Sequence, residues 1–338
     1  MPSSGRAPRL AVVIPCYRVR AHILSVIARI GPEVERIFVV DDACPEGSGA
    51  LVAEAARDSR VDVIFHQRNQ GVGGATVTGY LKALESGAEV IVKLDGDGQM
   101  DPVLIPALVA PILEGHADYT KGNRFHNVED TRTMPFARLI GNALLSFLSK
   151  LSTGYWHIFD PTNGFTAIHA AVLRQLPLSK LSRRFFFESD VLFRLNTVRA
   201  KVLDIPMPAS YGSETSNLSI WKSIPEFFIK HMINMSKRII YNYFLRDFSL
   251  ASLEIVFGLL LFFFGVGFGA VAWRTSLETG EPATAGTVML ATLPILMGLQ
   301  LILAFLAYDI ANEPDQALYP LIQRLFQARE RIERGRLQ

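Results

Sequence analysis

The sequence predicts an α/β domain on a mostly parallel, doubly wound sheet, followed by helices that reach and cross a membrane. Three observations lead there. Short apolar runs alternate with helical patterns through the first part of the chain, as parallel strands joined by crossover helices require. Four polar clusters fall at or just past strand ends: Pro15-Cys16-Tyr17, Asp41-Asp42, Asn69-Gln70-Gly71 and Asp95 to Gln99. Ligands of such sheets bind beyond the carboxyl ends of strands, so the four clusters mark one site. Two long apolar runs, almost free of charge, lie near the C-terminus. With 338 residues, 49% of them hydrophobic, and a formal charge of +2, the chain is large enough for two domains and is no strongly basic nucleic-acid binder.

Leu10 to Ile14 reads as the first strand and Ala21 to Ile30 as the helix after it. Arg36 to Val40 forms a second strand ending in Asp41-Asp42. A helix from about Ser48 to Arg57 leads to a third strand at Val61 to His66. Gly71 to Ser86 is helical after a glycine-rich entry, and Val90 to Leu94 is the strand that delivers Asp95. Beyond it, helices are expected at Pro102 to Leu113, Phe136 to Leu151 and Glu188 to Leu195. Further strands are expected near Tyr119, at Phe165 to Ile168 and at Val202 to Ile205.

The richest segment is Val92 to Gln99, an apolar run that closes on Asp95-Gly96-Asp97. Side chains two apart share a face if the strand persists through them. Asp95, Asp97 and the Gln99 amide would then offer hard oxygen ligands, suited to Mg2+ or Mn2+ carrying a diphosphate. The competing reading is a surface turn, for which Asp-Gly-Asp-Gly is good chemistry. The histidines show no metal-ligand spacing.

Leu250 to Trp273 carries one charge, Glu254, near its start; as a helix it spans about 36 Å, enough for a hydrocarbon core. Thr287 to Tyr308 carries none, and its Pro294 is tolerable in a membrane helix. Lys222, Lys230, Lys237, Arg238 and Arg246 precede the first run, and Arg324, Arg329, Arg331, Arg334 and Arg336 follow the second. The positive-inside rule puts both termini and the N-terminal domain in the cytoplasm, the protein being integral to the cytoplasmic membrane. Met1 to Arg9 is short and polar, so no signal peptide is expected. Cys16 and Cys44 are expected as free thiols. Ile220 to Asp247 interleaves aromatic and basic residues, as helices on a membrane surface do. The expected division is 1–215 catalytic, 216–248 interfacial, 249–308 two transmembrane helices with a short external loop, and 309–338 a cytoplasmic tail that ends in a solvated helix.

Val13-Ile14-Pro15-Cys16-Tyr17, Val39-Val40-Asp41-Asp42, Asn69 to Ala75 and Leu94 to Pro102 occur in this order. With Gly122-Asn123-Arg124-Phe125, Asn163-Gly164-Phe165 and the two C-terminal runs, the chain resembles family 2 glycosyltransferases of GT-A fold. The branch it looks like acts on polyprenyl phosphate and includes dolichol-phosphate mannose synthases and undecaprenyl-phosphate glucosyltransferases. The resemblance implies a Mg2+ or Mn2+ site at Asp95, Asp97 and Gln99. It implies a nucleotide diphosphate sugar bound by Pro15, Tyr17, Asp41, Asp42, Asn69, Gly71, Asp95, Gly96 and Asp97, with Asp42 accepting from the base. Arg124 and Arg138 would face the lipid phosphate, helped by Lys121 and by Asn163 in a loop that closes on the sugar. Asp97, Arg124 and Arg138 would carry catalysis. Gly71, Gly73 and Gly74 do not have dinucleotide spacing and are expected to let the backbone pass close to the sugar nucleotide.

The implied reaction is metal-dependent, inverting transfer of one sugar to undecaprenyl or dolichyl phosphate, by a homo-oligomer such as a tetramer that contacts membrane lipid and no nucleic acid. Two alternatives stand beside it. In one, the acceptor is a glycan or protein hydroxyl with Asp190 or Glu188 as base. A phosphate acceptor with a second pKa of about 6 needs no such base, and both residues then serve as structural or positioning groups. In the other, the chain is a non-catalytic nucleotide-binding membrane scaffold, a reading that intact Asp95, Asp97 and Gln99 argue against. The family's usual Tyr-Asn-Glu is here Tyr17-Arg18-Val19, and Ala43-Cys44 stand where a serine commonly follows the aspartate pair. Both changes touch the nucleotide pocket. The Gln-x-x-Arg-Trp signature of processive members is absent.

Overall fold

A computed structural model describes residues 7–125, 136–208 and 220–335. They form two compact units, Met1–Met235 with Pro314–Gln338, and Ser236–Glu313. In the first unit the order is β1 (Leu10–Cys16), α1 (Ile23–Ala28), β2 (Val34–Asp41), α2 (Ser48–Ala55), β3 (Val61–Phe65), α3 (Val72–Glu85) and β4 (Val90–Lys93). A short 3-10 turn at Pro102–Leu104 leads into α4 (Ile105–Leu113). After it come β5 (Tyr119–Asn123), α5 (Phe136–Thr153), β6 (Thr166–His169), α6 (Phe187–Thr197), β7 (Val202–Pro206) and α7 (Ile220–Ile240).

The seven strands make one sheet in the order β3-β2-β1-β4-β6-β5-β7. β1 runs parallel to β2 and β4, β2 to β3, and β5 to β7. β6 is antiparallel to both β4 and β5, so the doubly wound half stops at β4 and the rest of the sheet is mixed. β1 and β4 are buried along their whole length, which is why they read as unbroken apolar runs. Helix α3 lies so close on β1 that a Cβ at Gly79 would sit 2.1 Å from Val13 Cγ1. The chain winds outward from β1 to β3 and then returns to place β4 on the other flank of β1. The crevice beyond the carboxyl ends of β1 and β4 is therefore a topological switch point.

The C-terminal segment belongs to this first unit. Asp118, fully buried at the start of β5, accepts from Lys201 N at 2.8 Å, Leu318 N at 2.7 Å and Tyr319 N at 2.7 Å. Tyr319 opens the helix Tyr319–Gly335 and stacks on His169 at 3.9 Å. The segment expected to end as a solvated helix thus begins as a docked one, because a buried carboxylate needs the backbone donors that Leu318 and Tyr319 supply.

In α7 the usual polarity is reversed. Its inward residues include His231, bonded to Ser152 Oγ at 2.6 Å, and Asn234, which donates to Asp190 Oδ1 at 3.2 Å. Its outward residues Phe228, Ile229 and Ile233 are about half exposed.

The second unit holds two long helices, α8 (Leu250–Thr279) and α9 (Ala285–Ala311), the latter continuous through Pro294. Both are long and apolar enough to cross a membrane, and only 11% of each apolar window is buried. Glycines let them touch: a Cβ at Gly298 would lie 2.5 Å from Phe262 N, and one at Gly265 would lie 2.7 Å from Ala291 O. At one end, Asp309 takes both forks of Arg238, at 2.6 and 3.0 Å, and the Tyr243 hydroxyl at 2.5 Å.

Burial holds the His231 pKa down to about 4, against an ordinary 6.5. The unfolded chain takes up this proton below pH 6.5 while the folded chain resists until about pH 4. The resulting stability is full above the unfolded value and is lost as pH falls towards the folded one. It amounts to about 3 kcal/mol. Replacing His231 by Phe is expected to flatten the acid-side fall of the thermal midpoint relative to the parent. Parallel acid limbs in the two proteins would refute this.

Candidate functional site

The polar clusters sit on the carboxyl edge of β1, β2 and β4, as the topology requires. The strand does not persist through Asp95 and Asp97: β4 ends at Lys93 and the chain turns, with Gly98 at φ +79°. Asp97 Oδ1 closes this turn by accepting from Gln99 N at 3.0 Å. The shared-face argument for the two carboxylates therefore fails. A turn carries both carboxylates past the end of β4. Gly96 is buried against α1, where an added Cβ would lie 2.9 Å from Ile23 Cδ1.

Lys93, the last residue of β4, is the charged group that sequence reasoning missed. Its ammonium is 1% exposed and pairs with Asp95 Oδ1 at 2.9 Å and Glu188 Oε1 at 3.1 Å. Burial penalises its charge, but the Asp95 and Glu188 carboxylates outweigh that cost and hold its pKa above the ordinary value. Gly164 covers the pair. A Cβ there would fall 2.4 Å from Lys93 Nζ and 2.6 Å from Asp95 Oδ2. The period-two spacing of Lys93 and Asp95 was the available signal.

Asp41 and Asp42 are both buried, at 4% and 2% exposure. Asp41 accepts from Cys44 N at 2.8 Å and Gly49 N at 2.7 Å, capping the loop and first turn of α2. Asp42 Oδ1 takes His66 Nδ1 at 2.7 Å and Gln70 N at 2.8 Å, and its Oδ2 takes Gly71 N at 2.7 Å. Asn69 adds a bond to Asp42 O at 3.3 Å. Asp42, expected to meet the base, thus anchors the 69–71 loop. The glycines after it let the protein's own backbone pass close: a Cβ at Gly71 would meet Arg183 O at 2.4 Å, and one at Gly73 would meet Ser182 O at 2.2 Å. Pro15 is buried in β1, and Tyr17 just past it is 39% exposed with Arg18 over its ring.

On the β5 side, Arg124 Nε and Nη2 fork onto Asp160 at 2.8 and 3.1 Å. Lys121 is fully buried and donates to Asn163 O. Burial, only partly offset by Asp160, Glu188 and Asp204, lowers its pKa to about 8. Asn163 is buried too, its Oδ1 accepting from Phe165 N at 2.9 Å. Arg138 falls in the first turn of α5, and its side chain lies outside the described residues. Glu188 and Asp190, two apart on α6, point about 200° away from each other. Glu188 faces Lys93. Asp190 faces Ser182 N at 2.8 Å, Arg194 Nε at 3.3 Å and Asn234.

Among the described residues no group of three His, Cys, Asp or Glu side chains gathers as a metal cage. Two carboxylates and an amide fit a different chemistry. Mg2+ keeps several waters and is held by one or two carboxylates plus substrate phosphates. The Asp95 side chain is 29% exposed, so such a partner can reach it.

The glycosyl transferase family 2 model matches residues 11–176. Polyprenol monophosphomannose synthase of Mycolicibacterium smegmatis is 31% identical over 205 residues, covering 59% of this chain and 76% of that protein. The chain belongs to glycosyl transferase family 2. Two further relatives match a similar share of the chain. UDP-N-acetylglucosamine–dolichyl-phosphate N-acetylglucosaminyltransferase of Methanococcus voltae is 28% identical, over 59% of this chain and 85% of that one. Undecaprenyl-phosphate mannosyltransferase of Micrococcus luteus is 28% identical, over 59% and 82%. Glucosyl-3-phosphoglycerate synthase from Mycobacterium tuberculosis, solved with Mn2+, UDP and phosphoglyceric acid, superposes with a TM-score of 0.50 at 16% identity. It covers 68% of this chain and 78% of that one, and the likeness shows a shared GT-A-like fold.

In this family 2 chain, Gly164→Ala is expected to push Lys93 and Asp95 apart and to cut glycosyl transfer about a hundredfold, with the circular dichroism spectrum unchanged. Full activity in the folded variant would show that the pair's geometry does not matter.

Proposed function

We propose that the chain moves one sugar from a nucleoside diphosphate sugar onto a polyprenyl phosphate, with inversion at the anomeric carbon. The observation that carries the reading is a nucleotide-sugar fold on the same chain as two exposed helices of membrane-crossing length. The activities named for the Methanococcus, Mycolicibacterium and Micrococcus relatives, all on polyprenyl or dolichyl phosphates, support the acceptor class. The catalytic unit and both termini face the cytoplasm. That orientation rests on the basic residues that flank the two apolar helices. The outward apolar stripe of α7 supports its lying along the bilayer surface. The working form is a homo-oligomer in contact with lipid.

Asp95, Asp97 and Gln99 would hold Mg2+ or Mn2+, which neutralises charge on the departing diphosphate. The chain's own residues do the rest. Asp42 locks the 69–71 loop and Asp41 locks the 44–49 loop, so the nucleotide meets a pre-formed edge. Tyr17 and Pro15 border it. The acceptor phosphate would compete with Asp160 for the Arg124 fork, joined by Arg138, with Lys121 and Asn163 as support beneath.

A lipid phosphate attacks without a protein base. The site agrees, since Glu188 Oε1 is committed to Lys93 and Asp190 to Ser182, Arg194 and Asn234. This arrangement speaks against the hydroxyl-acceptor alternative.

The test is transfer of label from a panel of nucleotide sugars to polyprenyl phosphate, counted in the organic phase. Mg2+- or Mn2+-dependent transfer from one donor is expected, as is its loss in Asp97→Ala with an unchanged thermal midpoint. A fully active Asp97→Ala protein would remove the metal assignment. Transfer only to hydroxyl acceptors would remove the lipid phosphate.

A further inference from the structure

We propose that Lys93 is a resident counter-ion of the carboxylate site, which holds Asp95 by one oxygen and suppresses the binding of a divalent cation that arrives without a diphosphate. The inference rests on the metal-dependent reading above and deepens it.

A lysine as the last residue of a central strand, 1% exposed, is unusual. Three elements converge on it: β4 supplies the ammonium, the following turn supplies Asp95, and α6 supplies Glu188. Tyr80 of α3 and Tyr119 of β5 are fully buried nearby and feel the charges of this cluster, Tyr80 those of Lys93, Asp95 and Glu188 and Tyr119 that of Glu188. An ammonium so enclosed stays only because both carboxylates pair with it.

This pairing bears directly on cation binding. The carboxylates of Asp95 and Asp97 would attract any divalent ion, but the Lys93 ammonium already sits 2.9 Å from Asp95 Oδ1. A second cation at Asp95 meets repulsion at short range in a poorly screened site. A nucleoside diphosphate carries negative charge of its own and reverses that balance, so ion and diphosphate load together. Lys93 also fixes the orientation of the Asp95 carboxylate, holding Oδ1 while Oδ2 lies against Gly164. It is a positioning residue and touches neither sugar nor acceptor.

The experiment is equilibrium dialysis of Mn2+ alone against the full chain in detergent. The proteins compared are the wild type, Lys93→Met, and Lys93→Met with Glu188→Gln. The double variant removes the ammonium and its far partner together, so no buried charge is stranded if the single variant fails to fold. It is expected to bind Mn2+ about tenfold more tightly than the wild type, and to lose that gain when Asp97→Ala is added. A purely structural lysine would leave affinity unchanged or lower it on removal. A folded double variant that binds Mn2+ no better than the wild type overturns the counter-ion. Mn2+ that fails to bind the wild type even with UDP or GDP present overturns instead the metal reading beneath it.

Discussion

Carboxylates gathered on the carboxyl edge of a buried sheet repel one another and resist burial, and the site depends on how each is compensated. The chain uses three kinds of donor. Backbone amides hold Asp41, whose oxygens take Cys44 N and Gly49 N. Amides and an imidazole together hold Asp42. Side-chain cations hold the others, Arg124 for Asp160 and Lys93 for Asp95 and Glu188. The pairings of Asp42 with Gly71, Arg124 with Asp160 and Lys93 with Glu188 also join segments distant in sequence, so there the electrostatic solution and the shape of the site are one arrangement.

This bears on what the site does. An edge whose carboxylates are already tied down needs little reorganisation when a charged ligand arrives, which is the condition for electrostatic preorganisation. Glu188 is the instructive case. By position it looks like a general base, yet its pairing with Lys93 makes it a partner of the donor side. An acceptor that carries its own negative charge suits such a site better than a hydroxyl that must lose a proton.

The two units divide physically different tasks. The first is held by a mixed sheet with a buried centre, and glycines let backbone pass backbone at Gly71 and Gly73 against residues 182 and 183. The second is two helices whose outward apolar side chains have no protein to cover them, packed through Gly258, Gly265 and Gly298. Its buried charge, Asp309, is fully matched by Arg238 and Tyr243.

Much of this was legible in the residues. Runs such as Leu10 to Ile14 and Val90 to Leu94 determined strands, because an apolar run of that length bounded by turn residues has few other uses. Leu250 to Trp273 determined a membrane-length helix by hydropathy alone. Asp95-Gly96-Asp97 marked the site, since its polar residues follow a strand end directly. What lay beyond reach was pairing across distance. Nothing local says that Asp42 will hold Gly71, that Asp118 will hold Leu318, or that Lys93 will find Glu188 across 95 residues of chain. The antiparallel insertion of β6 was equally hidden, as strand direction is set by the loop that delivers it and not by its composition. Sequence by itself determined which elements form and which chemistry gathers at the strand ends, because periodicity and residue type act locally. Only the tertiary structure decided which charge faces which, because burial and a separation of about 3 Å are properties of the folded chain.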